Sequence, residues 1–475
     1  MASSASGSFA GAPVAPIKWA ACHGSAGPSG FQCATIQVPR DPMHPSAGGT
    51  IGMALDRHQA TKSKIGSLLV NPGGPGGSGI DFLPQIVGIF SPSLLQHFDI
   101  IGFDPPGVAR TSPINCLPAD QFAAYLEYNP VPTTPAQLNG YLAEDRTFAA
   151  ACQRQSGAEL PYVSTADAAM DMDVIRADAG DPKLTYFGFS YGTFLGATYA
   201  NLFPTRVRAM VLDGAEDPSL TPIAGLAAQS AAFDGDLKDA LDHCAQDANC
   251  AWTPQGDPIA AYEQLEARVA AHSVAVPGSR RTANLSVMLY GTALTLYDTS
   301  NWTQLYSALA GLEKGDGADM LQLFDDYTGR SPQGTYTNEL EANVSVNCLD
   351  APAPSVAAIQ AAAAAAKAAA PVFGIPDLYS ELQCSVWPVP ATGHTGAIRA
   401  TGSPAIVVVG TTGDPATPYA EAQALAAQLS HGILLTRVGD GHTAYPFSLC
   451  IRQYVDSYIT DLTDPPTNIH CPSNS

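Results

Sequence analysis

Positive charge is scarce in this chain: 22 Lys and Arg stand against 43 Asp and Glu, a formal net charge of −21 over 475 residues. Such a surface repels polyanions, so neither nucleic acid nor an anionic membrane surface is expected as a partner. Long apolar runs are missing too; no stretch approaches the ~20 residues that a spanning helix needs. There is no Cys-x-x-Cys pair and no Cys/His cluster with zinc spacing. No Gly-rich loop is followed by Gly-Lys-Ser/Thr, which excludes a Walker-type phosphate cradle. No metal or cofactor is expected. Residues 1–11 are small and polar, without a charged-then-apolar leader. They read as the start of a mature secreted form whose signal has been replaced by an initiator Met.

What the chain does hold is 46% apolar residues, 43 Gly and 39 Pro, the composition of a large, loop-rich globular protein. Its ten cysteines are spread along the chain: Cys22, Cys33, Cys116, Cys152, Cys244, Cys250, Cys348, Cys384, Cys450 and Cys471. The even count fits five disulfides and an oxidising compartment, against the alternative of ten buried thiols. Pairing neighbours in order closes short loops, such as Cys244 with Cys250, but spacing does not fix the connectivity. Asn284, Asn301 and Asn343 open glycosylation triplets, relevant only in a eukaryotic source.

The most informative stretch runs from Leu184 to Gly192. Thr185, Tyr186 and Phe187 suit a buried strand, and Phe194, Leu195, Thr198 and Tyr199 keep helical spacing up to Pro204. Between them lies Gly188-x-Ser190-x-Gly192, the pattern of a strained turn that lifts a serine above a sheet edge. Without that context the pattern is only a Gly-rich turn with a solvated serine. Further strands are expected over 35–38, 50–58, 67–70, 97–103, 208–212, 405–409 and 432–438, and helices over 165–179, 191–203 and 419–429. Strands alternating with helices imply a mostly parallel, doubly wound sheet with its sites at the carboxyl ends of the strands. From about 219 to 387 the pattern turns helical and Ala-rich, which reads as an inserted cap. The chain then divides into core 1–218, cap 219–387 and core 388–475.

A nucleophilic serine needs a base and an orienting acid, in the chain order Ser, Asp/Glu, His for this kind of sheet. His442 follows the last core strand in Gly441-His442-Thr443, and Asp414 follows the preceding one, with Asp213 as its rival. Asp440 reads as a turn residue. Thr417 either steadies the Asp414 loop or caps the next helix. Asn71-Pro-Gly-Gly-Pro-Gly-Gly-Ser-Gly79 follows an early strand, where its backbone N–H groups, Gly74 foremost, form an oxyanion hole with the N–H of Tyr191.

Taken together, these segments resemble the secreted bacterial tripeptidyl aminopeptidases and, more distantly, the proline iminopeptidases. The matches are the 71–79 loop, Asp104-Pro-Pro-Gly-Val-Ala-Arg-Thr-Ser112, Gly188-Phe-Ser-Tyr-Gly192, Gly413-Asp-Pro-Ala-Thr-Pro418 and Gly441-His-Thr443. The resemblance implies an α/β-hydrolase fold with a helical cap. It also implies a serine exopeptidase acting on free N-termini, with Ser190, Asp414 and His442 as its triad. The family's usual Asp-Pro-Arg-Gly is Asp104-Pro105-Pro106-Gly107 here, which leaves that Arg's contribution unfilled. A substrate amine calls for a carboxylate, and Glu216, Asp217 and Asp350 are the candidates. The expected partner is a peptide or small ester. A serine carboxypeptidase is the nearest alternative, but Phe189 occupies the position where such enzymes usually carry Glu. A secreted esterase would use the same triad, and a non-catalytic binding protein would typically have lost a member of it.

Overall fold

The computed structural model describes residues 14–22, 30–46, 48–254, 256–393 and 395–472. Residues 1–11, read above as the start of a mature form, lie outside them. Twelve strands follow in chain order: β1 (Ala20–Ala21), β2 (Phe31–Pro39), β3 (Thr50–His58), β4 (Gly66–Asn71), β5 (Phe98–Phe103), β6 (Leu184–Phe189), β7 (Val207–Asp213), β8 (Val274–Ala275), β9 (Thr282–Ala283), β10 (Ile406–Gly413), β11 (Gly432–Asp440) and β12 (Ile469–Cys471). β8 and β9 make a separate two-stranded ribbon, and the other ten form one sheet ordered β1-β2-β3-β5-β4-β6-β7-β10-β11-β12. The first three strands join antiparallel. From β5 to β12 every pairing is parallel.

The parallel strands are buried on both faces, so alternate residues divide between two cores. Leu69, Tyr186, Met210 and Val408 face one side, with Met172, Ile175, Leu195 and Leu425 from covering helices. Leu68, Val70, Phe187, Val211 and Val407 face the other, with Leu83, Ile86, Ile451 and Val455. The chain leaves β4 towards β5 on one side and reaches β6 on the other. The crevice at a topological switch of this kind is where ligands bind. The loop after β4 and the turn after β6 both open there.

Among the described residues nine α-helices lie between β7 and β10, from Pro222–Gln246 to Leu382–Ser385. Phe233, Leu289, Leu305 and Phe324 of this segment belong to the same apolar cluster as Tyr186 and Leu212 of the sheet. Its attachment to the sheet is therefore a continuous core. The helix Glu339–Asp350 adds polar ties: Glu341 accepts from Cys116 N and Leu117 N, and Asn338 bridges to Gly107 O and Ile114 O.

The cysteines pair as nearest neighbours: Cys22–Cys33, Cys116–Cys152, Cys244–Cys250, Cys348–Cys384 and Cys450–Cys471. The helix expected over 165–179 runs Thr165–Asp178 and is capped by Ser164. Ser164 and Asp167 form a reciprocal capping box, which frees Thr165 for other bonds. β12 carries no alternating pattern of its own and was not anticipated; it pairs with β11 and is stapled through Cys471. No helix among the described residues is long and apolar enough to cross a membrane.

Candidate active site

Ser190 sits between β6 and the helix Tyr191–Leu202 with φ 55° and ψ −132°, a conformation that non-glycine residues rarely adopt. Its N–H donates to Asp213 O at 2.9 Å, which fixes the turn against β7. A side chain at Gly188 would come within 2.2 Å of Gly192 O, so the turn closes only around glycine. Tyr191 is the first helical residue, and its N–H has no partner within the helix. The loop after β4 turns back onto this point. Gly73 has φ 102°, and a Cβ there would lie 2.6 Å from Phe189 O, 2.8 Å from Ser190 Cβ and 3.0 Å from Tyr191 N. The Gly73-Gly74 turn is thus in contact with the serine and the helix start.

On the far side of β7, Asp414 and His442 follow β10 and β11. His442 Nδ1 lies 2.8 Å from Asp414 Oδ1 and 3.0 Å from Oδ2. Asp414 also accepts from the backbone N–H groups of Ala416, Thr417 and Thr443. Burial alone would lower the pKa of His442, but the charge and hydrogen bond of Asp414 raise it above the ordinary value. Nε2 of His442 is buried with no hydrogen-bond partner among the described residues. A Cβ on Gly214 would lie 3.0 Å from His442 Cε1, and Gly214 directly follows Asp213, whose carbonyl holds Ser190. The imidazole therefore stands over the end of β7, the strand end to which Ser190 N is hydrogen-bonded.

Asp213, the rival acid, has another task. Its carboxylate accepts from Ala444 N and Tyr445 N at 2.9 and 2.7 Å and anchors the loop behind His442. Burial pushes it up to about 7. Thr417 is not a helix cap, because Pro418 takes that position without a side-chain bond; its Oγ1 lies 3.3 Å from His442 Nδ1.

Two contacts come from the inserted helices. Tyr297, after the helix Leu285–Leu296, accepts from His442 N at 2.8 Å, and its ring meets the imidazole edge-on at 5.4 Å. Asn343 donates from Nδ2 to Pro75 O at 3.1 Å and so holds the Gly-rich turn. Asn343 therefore acts as a clamp, and Asn284 caps Leu285–Leu296 through Oδ1 while its Nδ2 donates to Glu127 O; a glycan on either Nδ2 would disturb the bond that nitrogen makes. Pro106 stands where the family's Arg would be, and Arg110 bonds Asp104, Asp81 and Ser78 and braces the end of the Gly-rich loop. Tyr297, Asn343 and Arg110 escape sequence reasoning because no local spacing ties them to the serine.

A cavity of about 480 Å³ opens beside Gly74, Pro75, Tyr191, Glu216, Tyr297 and Ala416 and runs between the inserted helices. Asp and Glu side chains recur in its wall, and none of the described residues lining it is Lys, Arg or His. The three candidate amine-binding acids all line it but differ in engagement. Asp217 accepts from Ser219 and Gln428. Asp350 accepts from Thr165 N at 2.8 Å and from Thr165 Oγ1, whose hydroxyl also meets Tyr191 Oη. The Glu216 carboxyl has no such bond among the described residues; burial first, then Glu421 and Asp350, push it up to about 8.

Residues 66–448 match the family model described as alpha/beta hydrolase fold. The chain is 35% identical to "Serine protease Hip1" of Mycobacterium tuberculosis (strain ATCC 25618 / H37Rv) across 96% of this chain and 91% of that protein. It is 37% identical to "Carboxylesterase B" of the same strain across 93% and 86%. It is also 30% identical to "Tripeptidyl aminopeptidase" of Streptomyces lividans across 95% and 86%. With that sheet, this serine turn and relatives matched along nearly their whole length, the chain belongs to the alpha/beta hydrolase fold family, as a serine hydrolase.

Proposed function

We propose that this chain is a secreted serine aminopeptidase that releases short peptides, tripeptides foremost, from free N-termini, with Ser190, His442 and Asp414 as its triad. The cap would be residues 219–387, closing over core parts 1–218 and 388–475. His442 Nε2 takes the proton of Ser190 as Oγ bonds to the scissile carbonyl carbon. The N–H groups of Tyr191 and Gly74 stabilise the oxyanion. The C–N bond then breaks, His442 hands its proton to the leaving amine, and water cleaves the acyl-enzyme with His442 again as base.

The observation that carries the aminopeptidase reading is the free carboxylate of Glu216 beside Tyr191, in a cavity whose described lining has no cationic side chain. A substrate ammonium fills that place, and pairing with it lets Glu216 ionise. A substrate carboxylate would find no positive partner there, which disfavours a carboxypeptidase. Five disulfides support export to an oxidising compartment. An esterase is the second reading, favoured by the 37% identity to a protein named carboxylesterase B. Mass spectrometry of a ten-residue peptide digested with and without N-terminal acetylation separates them. Tripeptide release from the free peptide alone is expected; equal cutting of both forms, or cleavage of simple esters only, would overturn the proposal.

A further inference from the structure

The cavity wall has a second acidic end, set by an acid that does not act on Glu216. Asp145, on the helix Pro135–Ser156, lines the cavity although only 2% of it is exposed. Its Oδ1 accepts from Tyr125 Oη at 3.0 Å, while its Oδ2 is buried without a hydrogen-bond partner among the described residues. Arg146, the next residue, is exposed and forms no ion pair with it among those residues. The surroundings are aromatic. Tyr125 stacks on Phe148 with centroids 4.6 Å apart and feels the charge of Asp145 and the hydroxyls of Tyr141 and Tyr290. All four of these aromatic residues line the cavity.

This end is electrostatically distinct from the one beside Tyr191. Glu216 is coupled to Glu421 and Asp350, whereas the charges acting on Asp145 are those of Glu144 and Arg146. Burial holds Asp145 up to about 7, and a cation beside Oδ2 would bring it down again. A carboxylate with one open acceptor at the floor of a tyrosine-walled recess is the chemistry that selects a cation on an apolar stem. The ammonium or guanidinium meets the acid, and the methylenes and the charge lie along the rings.

We propose that the recess of Asp145, Tyr125, Tyr141 and Tyr290 is a subsite for a cationic side chain, Lys or Arg, of the peptide substrate. This names the substrate class of the aminopeptidase proposed above and rests on that reading. The test uses Ser190→Ala protein, which binds peptides without cleaving them. Calorimetry compares tripeptide amides carrying either Lys or norleucine at each position in turn, with the N-terminus free or acetylated. Lys should bind at least about tenfold more tightly than norleucine at one position, and adding Asp145→Asn should bring the two within about threefold. Equal binding of Lys and norleucine at every position, or a preference that survives Asp145→Asn, would overturn the subsite. If Asp145→Asn does not fold, Tyr290→Leu replaces it and should cut the preference at least about threefold; an unchanged preference would overturn the subsite. The acetylated arm is read separately. A Lys preference indifferent to acetylation keeps the subsite and sinks the amine reading, while a free-amine preference without Lys selectivity does the reverse.

Discussion

Ser190 is held at φ 55° by glycines at 188 and 192 and by its bond to Asp213 O, a strained backbone that the rest of the turn over-determines. Asp414 orients His442 by two short contacts and is itself fixed by three backbone donors. Asp414→Asn keeps those contacts nearly in shape but favours the wrong tautomer, so kcat should fall about 10⁴-fold with little change in melting temperature. Steady-state kinetics beside a thermal melt checks both. His442 must be neutral to act as base, and Asp414 raises its pKa; Glu216, pushed up to about 8, must ionise to pair with an amine. kcat/KM on free-amine peptides should therefore climb between about pH 6 and pH 8 and fall as the substrate amine, near 7.7–8.0, loses its proton. A profile already flat at about pH 6 would contradict these assignments. The placement of Ser190, Asp414 and His442 just after strand ends was legible in the sequence, because each lies in a short, recognisable turn. Asp145 was not, since it sits mid-helix in an ordinary charged stretch and gains its meaning only from tyrosines up to 145 positions away.

At the scale of elements, the helix Glu339–Asp350 does more than cover the crevice. Asn338 ties the loop after β5, Glu341 the backbone at 116–117, Asn343 the Gly-rich turn, Cys348 the last inserted helix, and Asp350 the start of Thr165–Asp178. A Cβ on Gly76 would come within 2.3 Å of Glu339 O, so the turn and the helix are in backbone contact. Opening the crevice by swinging this helix away would loosen the turn that carries Gly74. Asn343→Ala should lower kcat about tenfold with KM within about twofold, because the donor loses its support while the cavity keeps its shape. A change confined to KM would mean that Asn343 touches substrate and does not steady the turn. The core strands and their helices were readable from period and punctuation, to within a few residues. β12 was not, because three residues carry no period and owe their pairing to β11 and the Cys450–Cys471 bond.

For the whole molecule, the −21 charge has a buried counterpart. Asp56 and Asp236 are pushed up to about 8 and Asp213 to about 7, in each case chiefly by burial. Each such acid keeps its proton to a higher pH in the fold than in the unfolded chain. Its stabilising contribution is full below the unfolded pKa near 4 and is lost as pH rises through its folded value near 7 to 8. Asp99 runs the opposite way: burial raises it, but the Ala60 N–H, Lys64 and Arg57 outweigh that and hold it low. The raised acids outnumber it, so the melting temperature should be higher at about pH 5 than at about pH 9. A maximum at about pH 9 would mean that these carboxyls are ionised and paired.

The central claim joins the triad to an acid that reads a free amine. Its most direct test is the ratio of kcat/KM for a tripeptide anilide to that for its N-acetylated twin, in the native protein and in Glu216→Gln. The ratio should be about 100 or more, falling to about 10 or less in Glu216→Gln, as befits loss of a charge-assisted bond. A ratio near one in the native protein would contradict it and leave a serine hydrolase that does not recognise N-termini.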